Sequence, residues 1–266
     1  MNRSVMNRVM VGDAGLAVLG MTATSAGAQT DDSPRIVKQK PQLITYESYW
    51  AFPPAHWGDV DKDNATANQK VLAPALADGT LVGYGDHENL APPEGGFTHD
   101  NWWKAKSGAD VMKLIEAFHK AGGSSSLVSS TQHWSERYLS TYYNWKAGSW
   151  KGAYEYRLTY KVRPGVDPDD ATLMLSSFYV PLYEKLLADG TIVEYEIDRE
   201  SVHSAGSPGQ IIFTFVTPNT EGLDKFRAAY NGIVVKDSLI LAVKASVFVD
   251  EYAPHADWLL VNATYK

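Results

Sequence analysis

The chain has no cysteine among its 266 residues, which excludes disulfide bonds, thiolate nucleophiles and cysteine-ligated metals together. It also lacks a glycine-rich phosphate loop, a G-x-S-x-G nucleophile elbow, a paired-carboxylate motif and an H-E-x-x-H zinc motif. Nucleotide chemistry, serine hydrolysis and zincin-type catalysis are therefore poorly supported. Basic residues are in deficit: Lys and Arg total 24 against 31 Asp and Glu, for a formal charge of −7, and no basic patch is clustered. That argues against a nucleic-acid partner, because phosphate binding needs such a patch. No low-complexity tract and no run of like charge occurs. What is present is 44% hydrophobic and 12% aromatic residues, enough to fill real cores.

The first residues read as a targeting segment. Arg3 and Arg8 supply a positive start, Ala14 to Ala23 a short apolar stretch, and Ala26-Gly27-Ala28 a small-x-small cleavage site. Residues 1–28 are thus expected to be a signal peptide of an exported bacterial protein, periplasmic or secreted, with 29–41 a polar lead-in. No other apolar stretch approaches the roughly 20 residues that span a bilayer, so no membrane association is expected after cleavage.

The most informative feature is a phrase that occurs twice. Leu76-Ala77-Asp78-Gly79-Thr80 returns as Leu187-Ala188-Asp189-Gly190-Thr191, at an offset of 187 − 76 = 111. The same offset relates Tyr49 to Tyr160, Pro53 to Pro164, Tyr84 to Tyr195 and Trp102 to Phe213. A tandem duplication follows: a first repeat over 42–146, a linker at 147–153 and a second repeat over 154–266.

Within each repeat the local signals give the order β-α-β-β-α-β. Strands are expected over 43–52, 81–88, 97–106 and 137–145, then over 154–162, 192–199, 210–217 and 258–264. Helices are expected over 65–77, where Pro74 should introduce a kink, and from Ser107 through Phe118. In the second repeat Asp167-Pro168 opens one helix and Thr220 to Tyr230 forms the other. Such an order folds as a four-stranded antiparallel sheet with both helices on one face. Burying the bare face against a second copy closes an α/β barrel, and no oligomer is then required.

With this element order and the proline-bearing helices running into Leu-Ala-Asp-Gly (Pro74 to Gly79, and less closely Pro181 to Gly190), the chain resembles the dimeric α/β-barrel superfamily. That group includes the antibiotic-biosynthesis monooxygenases, EthD-like proteins and chlorite dismutases. The resemblance covers about residues 43–266 and rests on architecture. It implies two tandem ferredoxin-like repeats whose sheets face each other within one chain, and a barrel of the kind that hosts oxidation, cyclisation or decarboxylation of aromatic molecules.

Strand alternation nominates the side chains that point into the barrel. Arg157, Thr159, Lys161, Glu194, Glu196, Asp198, Ile212, Thr214 and Val216 are expected there from the second repeat. Subtracting 111 adds Tyr46, Ser48, Trp50, Gly83, Gly85, His87, Asn101, Trp103 and Ala105. His87 and His99 are the leading catalytic candidates. Paired across a hairpin they would stand as neighbours about 5 Å apart, able to share a metal, bind a haem iron or act as acid and base. A one-residue slip would send one of them outward. Glu47 is a further candidate, as a general acid if it is pushed into an apolar layer. Tyr46, Trp50, Asn101 and Trp103 form an expected ligand wall, with core packing as the alternative. Arg157 and Lys161 would attract a carboxylate or phenolate, or else pair with Glu194, Glu196 and Asp198.

Three readings remain at this level. The first is a small aromatic or apolar ligand held in the barrel interior, with chemistry that needs no organic cofactor. The second is a haem or metal protein using His87 or His99. The third is a packed barrel that only makes contacts at the cell envelope.

Overall fold

The computed structural model describes residues 38–92, 96–121, 131–202, 210–232, 238–248 and 259–266, so the expected signal peptide and most of the lead-in lie outside the described residues. Eight strands appear: β1 (Leu43–Ala51), β2 (Leu81–Asn89), β3 (His99–Ala105), β4 (Gln132–Trp145), β5 (Gly148–Lys161), β6 (Glu194–Val202), β7 (Gln210–Thr217) and β8 (Leu259–Tyr265). They close into one antiparallel barrel in the order β1-β3-β2-β8-β5-β7-β6-β4. All eight expected strands are present. β4 and β5 are longer than expected at their leading ends, and β5 takes up most of the segment read as a linker.

The helices are α1 (Trp57–Ala67), α2 (Ala73–Asp78), α3 (Gly108–Lys120), α4 (Pro168–Asp189), α5 (Thr220–Tyr230) and α6 (Ser238–Val247). The capping chemistry is as the sequence implies. Ser107 Oγ accepts the Asp110 N–H at 3.2 Å, and Asp167 accepts the Asp169 N–H at 2.7 Å ahead of Pro168. The repeated phrase makes the same turn in both places. Gly79 and Gly190 stand at φ +86° and +85°, and Asp78 and Asp189 each accept the N–H two residues on at 2.9 Å. Each phrase ends a helix and aims the next strand at the barrel.

Two elements depart from the sequence reading. α1 begins at Trp57, inside the segment read as a loop, because Val60 is buried against Phe52 beside Trp50 and Trp57. Between α1 and α2 the chain makes a π turn, Asn68–Leu72, in which the Ala73 N–H reaches back to Asn68 O. Pro74 follows at once; its missing N–H and its ring disfavour ordinary α spacing there, so a widened turn replaces the expected kink. α6 was not anticipated.

The helices lie outside the barrel. On the second half, Tyr179, Tyr183 and Phe226 pack on Tyr195, Phe213 and Phe215 of the sheet. On the first half, Val71, Leu72, Val111 and Leu114 cover Leu81, Trp103 and Ala105. The inner face of β2 carries Gly83 and Gly85, and their lack of side chains leaves room for rings. A Cβ at Gly85 would stand 2.7 Å from Trp102, and one at Gly83 2.8 Å from Tyr265.

Facing is where the fixed offset of 111 fails. It relates His87 to Asp198 correctly, but Arg157 and Thr214 face inward while Tyr46 and Trp103 face the helices. The inward residues of β1 and β3 are instead Thr45, Glu47, Trp102 and Lys104. Glu47 pairs with Trp102, and Arg157 with Thr214. The matching offsets are therefore 157 − 47 = 110 and 214 − 102 = 112. Single-residue differences in the connections are enough, since one residue of slip turns a whole strand over.

Candidate functional site

The barrel interior is filled with ionic side chains. Arg157 on β5 is its hub: Nη2 donates to Glu47 Oε1 at 2.6 Å, Nη1 to Glu47 Oε2 and Tyr49 Oη at 3.1 Å each, and Nε to Glu155 Oε1 at 2.6 Å. His87 bonds Glu155 through Nε2 at 2.8 Å and Asp100 through Nδ1. Lys104 bridges Glu194, at 2.6 Å, and Glu196. All these groups are buried. Burial pushes the Glu47 carboxyl up to about 7, with Arg157 opposing. Burial acts on Glu155 in the same sense, but Arg157 and His87 together outweigh it and hold that carboxyl at about 2. Burial disfavours charge on His87 as well, and the carboxylates of Asp100 and Glu155 overcome it, raising the imidazole to about 10. Asp198 is held well above the carboxylate range by burial and by Glu196.

This network leaves an interior cavity of about 20 Å³, room for roughly one water. The expectation of a ligand enclosed by the barrel is therefore corrected: paired charges occupy that space. Glu47, His87 and Asp100 do present donor atoms within 4.8 Å of one another, a spacing that would suit a metal ion. The group could hold a metal, which would compete with the cations already there. Both ring nitrogens of His87 already face carboxylates, and the Arg157 guanidinium supplies the cation that links Glu47 to Glu155. A metal would require a neutral imidazole and the displacement of that guanidinium.

The large space is elsewhere. A cleft of about 500 Å³ lies between the outer face of β1 and β3 and the layer made by α1, the π turn and α3. Its sheet wall carries Tyr46, Ser48 and Trp50 from β1, and His99, Asn101 and Trp103 from β3. Tyr46 and Trp103 stack with ring centroids 4.5 Å apart, and Trp50 stacks on His133 of β4 at 3.9 Å. The opposite wall includes Asn68, Lys70, Val71 and Leu72 of the π turn, and Phe118 and His119 of α3. The buried Trp103 Nε1 has no hydrogen-bond partner. Burial lowers the proton affinity of both His99 and His133.

The nominated residues thus divide between two places. Tyr46, Trp50, Asn101, Trp103 and His99 line the cleft on the helix side, whereas Glu47, His87 and Arg157 belong to the interior network. Lys161 is exposed at the end of β5 and belongs to neither. The expected His87–His99 pairing does not form: β2 and β3 pair His87 with Asp100 and Glu88 with His99, which puts the two imidazoles on opposite faces of the sheet. Glu47 is neither solvated nor set in an apolar layer, because the shift of β1 turns it toward Arg157. Sequence reasoning missed Asp100 and Tyr49 in the network and His133 in the cleft. Glu155 carried a signal, since it alternates with Arg157 on one strand face.

No protein-family model matches the chain, and no curated protein matches its sequence. Solved structures do match its fold. An anthrone oxidase-like protein aligns at TM-score 0.52 and 10% identity, over 85% of this chain and 94% of its own. A monooxygenase-like protein of Fusobacterium nucleatum aligns at 0.61 and 7% identity, over 85% and 95%. One of Lactobacillus acidophilus aligns at 0.57 and 10%, over 84% and 96%. The chain therefore has an α+β architecture around a closed eight-stranded barrel that monooxygenase-like proteins share. At these identities the likeness carries the fold alone.

Proposed function

We propose that the protein binds a small, flat aromatic molecule in the cleft between β1/β3 and α1–α3, and acts on it without an organic cofactor. The observation that carries this is the cleft itself: about 500 Å³, within the usual range for small-molecule sites, with an aromatic wall and a few polar groups. Tyr46, Trp50 and Trp103 offer faces for stacking, and Asn101 an amide to orient a substituent. The name of one structural neighbour, anthrone oxidase-like, agrees with an aromatic occupant.

The test is titration with planar phenols, followed by quenching of tryptophan fluorescence. Trp50→Ala should weaken binding about tenfold, the upper end of the about 0.5–1.5 kcal/mol that an aromatic pair contributes. Binding that is equally tight in the variant would remove the cleft from consideration.

The two halves of the barrel are further proposed to be tandem copies. The twice-used helix stop and the like pairing of two inward residues in each half, Glu47 with Trp102 and Arg157 with Thr214, support that origin. Export is supported by the leading segment of the sequence. Intact-mass analysis of protein recovered from the bacterial envelope should give a start near Gln29, and a retained Met1 would oppose it.

A further inference from the structure

We infer that His99 is the catalytic base of the cleft, with its proton on Nδ1 and a free Nε2 lone pair that takes the hydroxyl proton of a bound phenol or enol. This rests on the cleft being the binding site and deepens that reading by naming the substrate class.

The first support is the hydrogen-bond arrangement behind the ring. His99 Nδ1 lies 3.0 Å from Thr98 Oγ1. That hydroxyl accepts the Phe52 N–H at 2.9 Å and has Trp50 O at 3.2 Å and Phe52 O at 3.4 Å as acceptors for its own hydrogen. A hydroxyl has one proton to give and two lone pairs to fill. With its proton on a carbonyl, its second lone pair is completed by Nδ1–H of His99. The bond made by one ring nitrogen sets the state of the other, so Nε2 is left as the acceptor.

The second support is access. His99 is 4% exposed and lines the cleft, and its Nε2 makes no hydrogen bond among the described residues. The ring sits edge-on to Phe52 and Trp57 and forms part of the cleft wall. Charge state agrees. Glu88 opposite it on β2, Asp61 of α1 and the adjacent Asp100 each favour the imidazolium, but burial outweighs them and keeps the ring neutral near pH 7. His133, across Trp50, is likewise lowered by burial and adds no positive charge. Asn101 and Trp103 follow His99 on the same face of β3 at steps of roughly 7 Å. The Asn101 amide therefore stands one step from the base, where a developing oxyanion would need a donor, whereas the buried Trp103 Nε1 lies two steps away.

The step balances without a further reagent. The phenolic O–H bond breaks, an Nε2–H bond forms, and a neutral pair becomes a phenolate beside an imidazolium. Thr98 is a positioning residue: it fixes the tautomer and touches no substrate.

Two measurements on the whole protein decide the matter. Nitrogen-15 NMR at pH 7 should show His99 as the neutral Nδ1–H tautomer, and Thr98→Val should redistribute the proton toward Nε2. An Nε2–H tautomer, an imidazolium or a haem Soret band that depends on His99 would overturn the assignment. The second probe is 4-nitrophenol, whose phenolate is yellow. When bound, its apparent pKa should fall by about one unit, a tenfold shift toward phenolate, and His99→Gln, read at a concentration that saturates the variant, should abolish the shift. Binding that Trp50→Ala weakens, but with no wild-type pKa shift, sinks the base and spares the cleft. No saturable binding sinks the cleft and the base with it.

Discussion

Replacing Arg157 with alanine should destabilise the protein by about 3–5 kcal/mol, the usual result of removing one partner from a buried ion pair. The guanidinium donates hydrogen bonds to Glu47, Tyr49 and Glu155 and lies 3.5 Å from His87 Nδ1, and all four partners are buried. Without it Glu155 keeps only His87 as a cation, and Glu47 loses the nearest positive charge it has. For a domain of this size the loss corresponds to a fall in Tm of roughly 6–20 °C, read by calorimetry. The source of the effect is separable from simple loss of packing. If uncompensated charge dominates, adding Glu47→Gln and Glu155→Gln to Arg157→Met should recover part of the stability, because neutral groups of similar shape no longer need the cation. A triple variant no better than Arg157→Met alone would show that the contact surface of the arginine, and not its charge, holds this part of the barrel.

The same residue shows how far the sequence could be read. Arg157 was correctly placed inside because β5 alternates cleanly from Tyr154 onward, and Glu194, Glu196 and Asp198 followed from β6 in the same way. The helix stops were legible because Asp-Gly at a helix end has one low-cost conformation, and the structure shows it at both Gly79 and Gly190. What failed was transfer between halves. β1 reads Leu-Ile-Thr-Tyr-Glu-Ser-Tyr-Trp, with apolar or aromatic residues on both faces, so its own pattern does not choose a side. β3, His-Asp-Asn-Trp-Trp-Lys-Ala, is equally ambiguous. Both faces of these strands are in demand, one for the ionic interior and one for the cleft, and the period-two signal vanishes when both sides are buried. A borrowed register then decided the outcome, and it was off by one residue. The cleft was invisible for a different reason. It depends on how far α1 and α3 stand from the sheet, and the π turn that widens the chain there has no signature beyond the proline that follows it. The residues of the aromatic wall were nevertheless named, because Tyr46, Trp50, Asn101 and Trp103 share one face whichever way that face points.

Stability should fall as pH rises from 7 to 9, by about 1.4 kcal/mol per pH unit, and His87 should account for that slope. The folded imidazole is raised to about 10 from a model value of 6.5, so its contribution is fully present below 6.5 and is lost as pH climbs through 10. Glu47, raised to about 7 from 4.5, acts in the same sense at lower pH: its contribution is present below 4.5 and gone above 7. Glu155 opposes them at the acid end. Its carboxyl is lowered to about 2, so what it contributes is present above 4.5 and is lost as pH falls toward 2. The optimum should therefore lie near pH 4.5, between the loss of Glu155 below it and the loss of Glu47, then His87, above it. Urea denaturation at pH 7, 8 and 9 measures the slope directly, and His87→Gln should flatten it even if the variant starts from lower stability. A flat wild-type profile would mean that the imidazole between Asp100 and Glu155 is neutral and that one of those carboxyls holds the proton instead. In that case His87 would regain a nitrogen able to accept, and only the Arg157 guanidinium would compete with a metal at Glu47, His87 and Asp100.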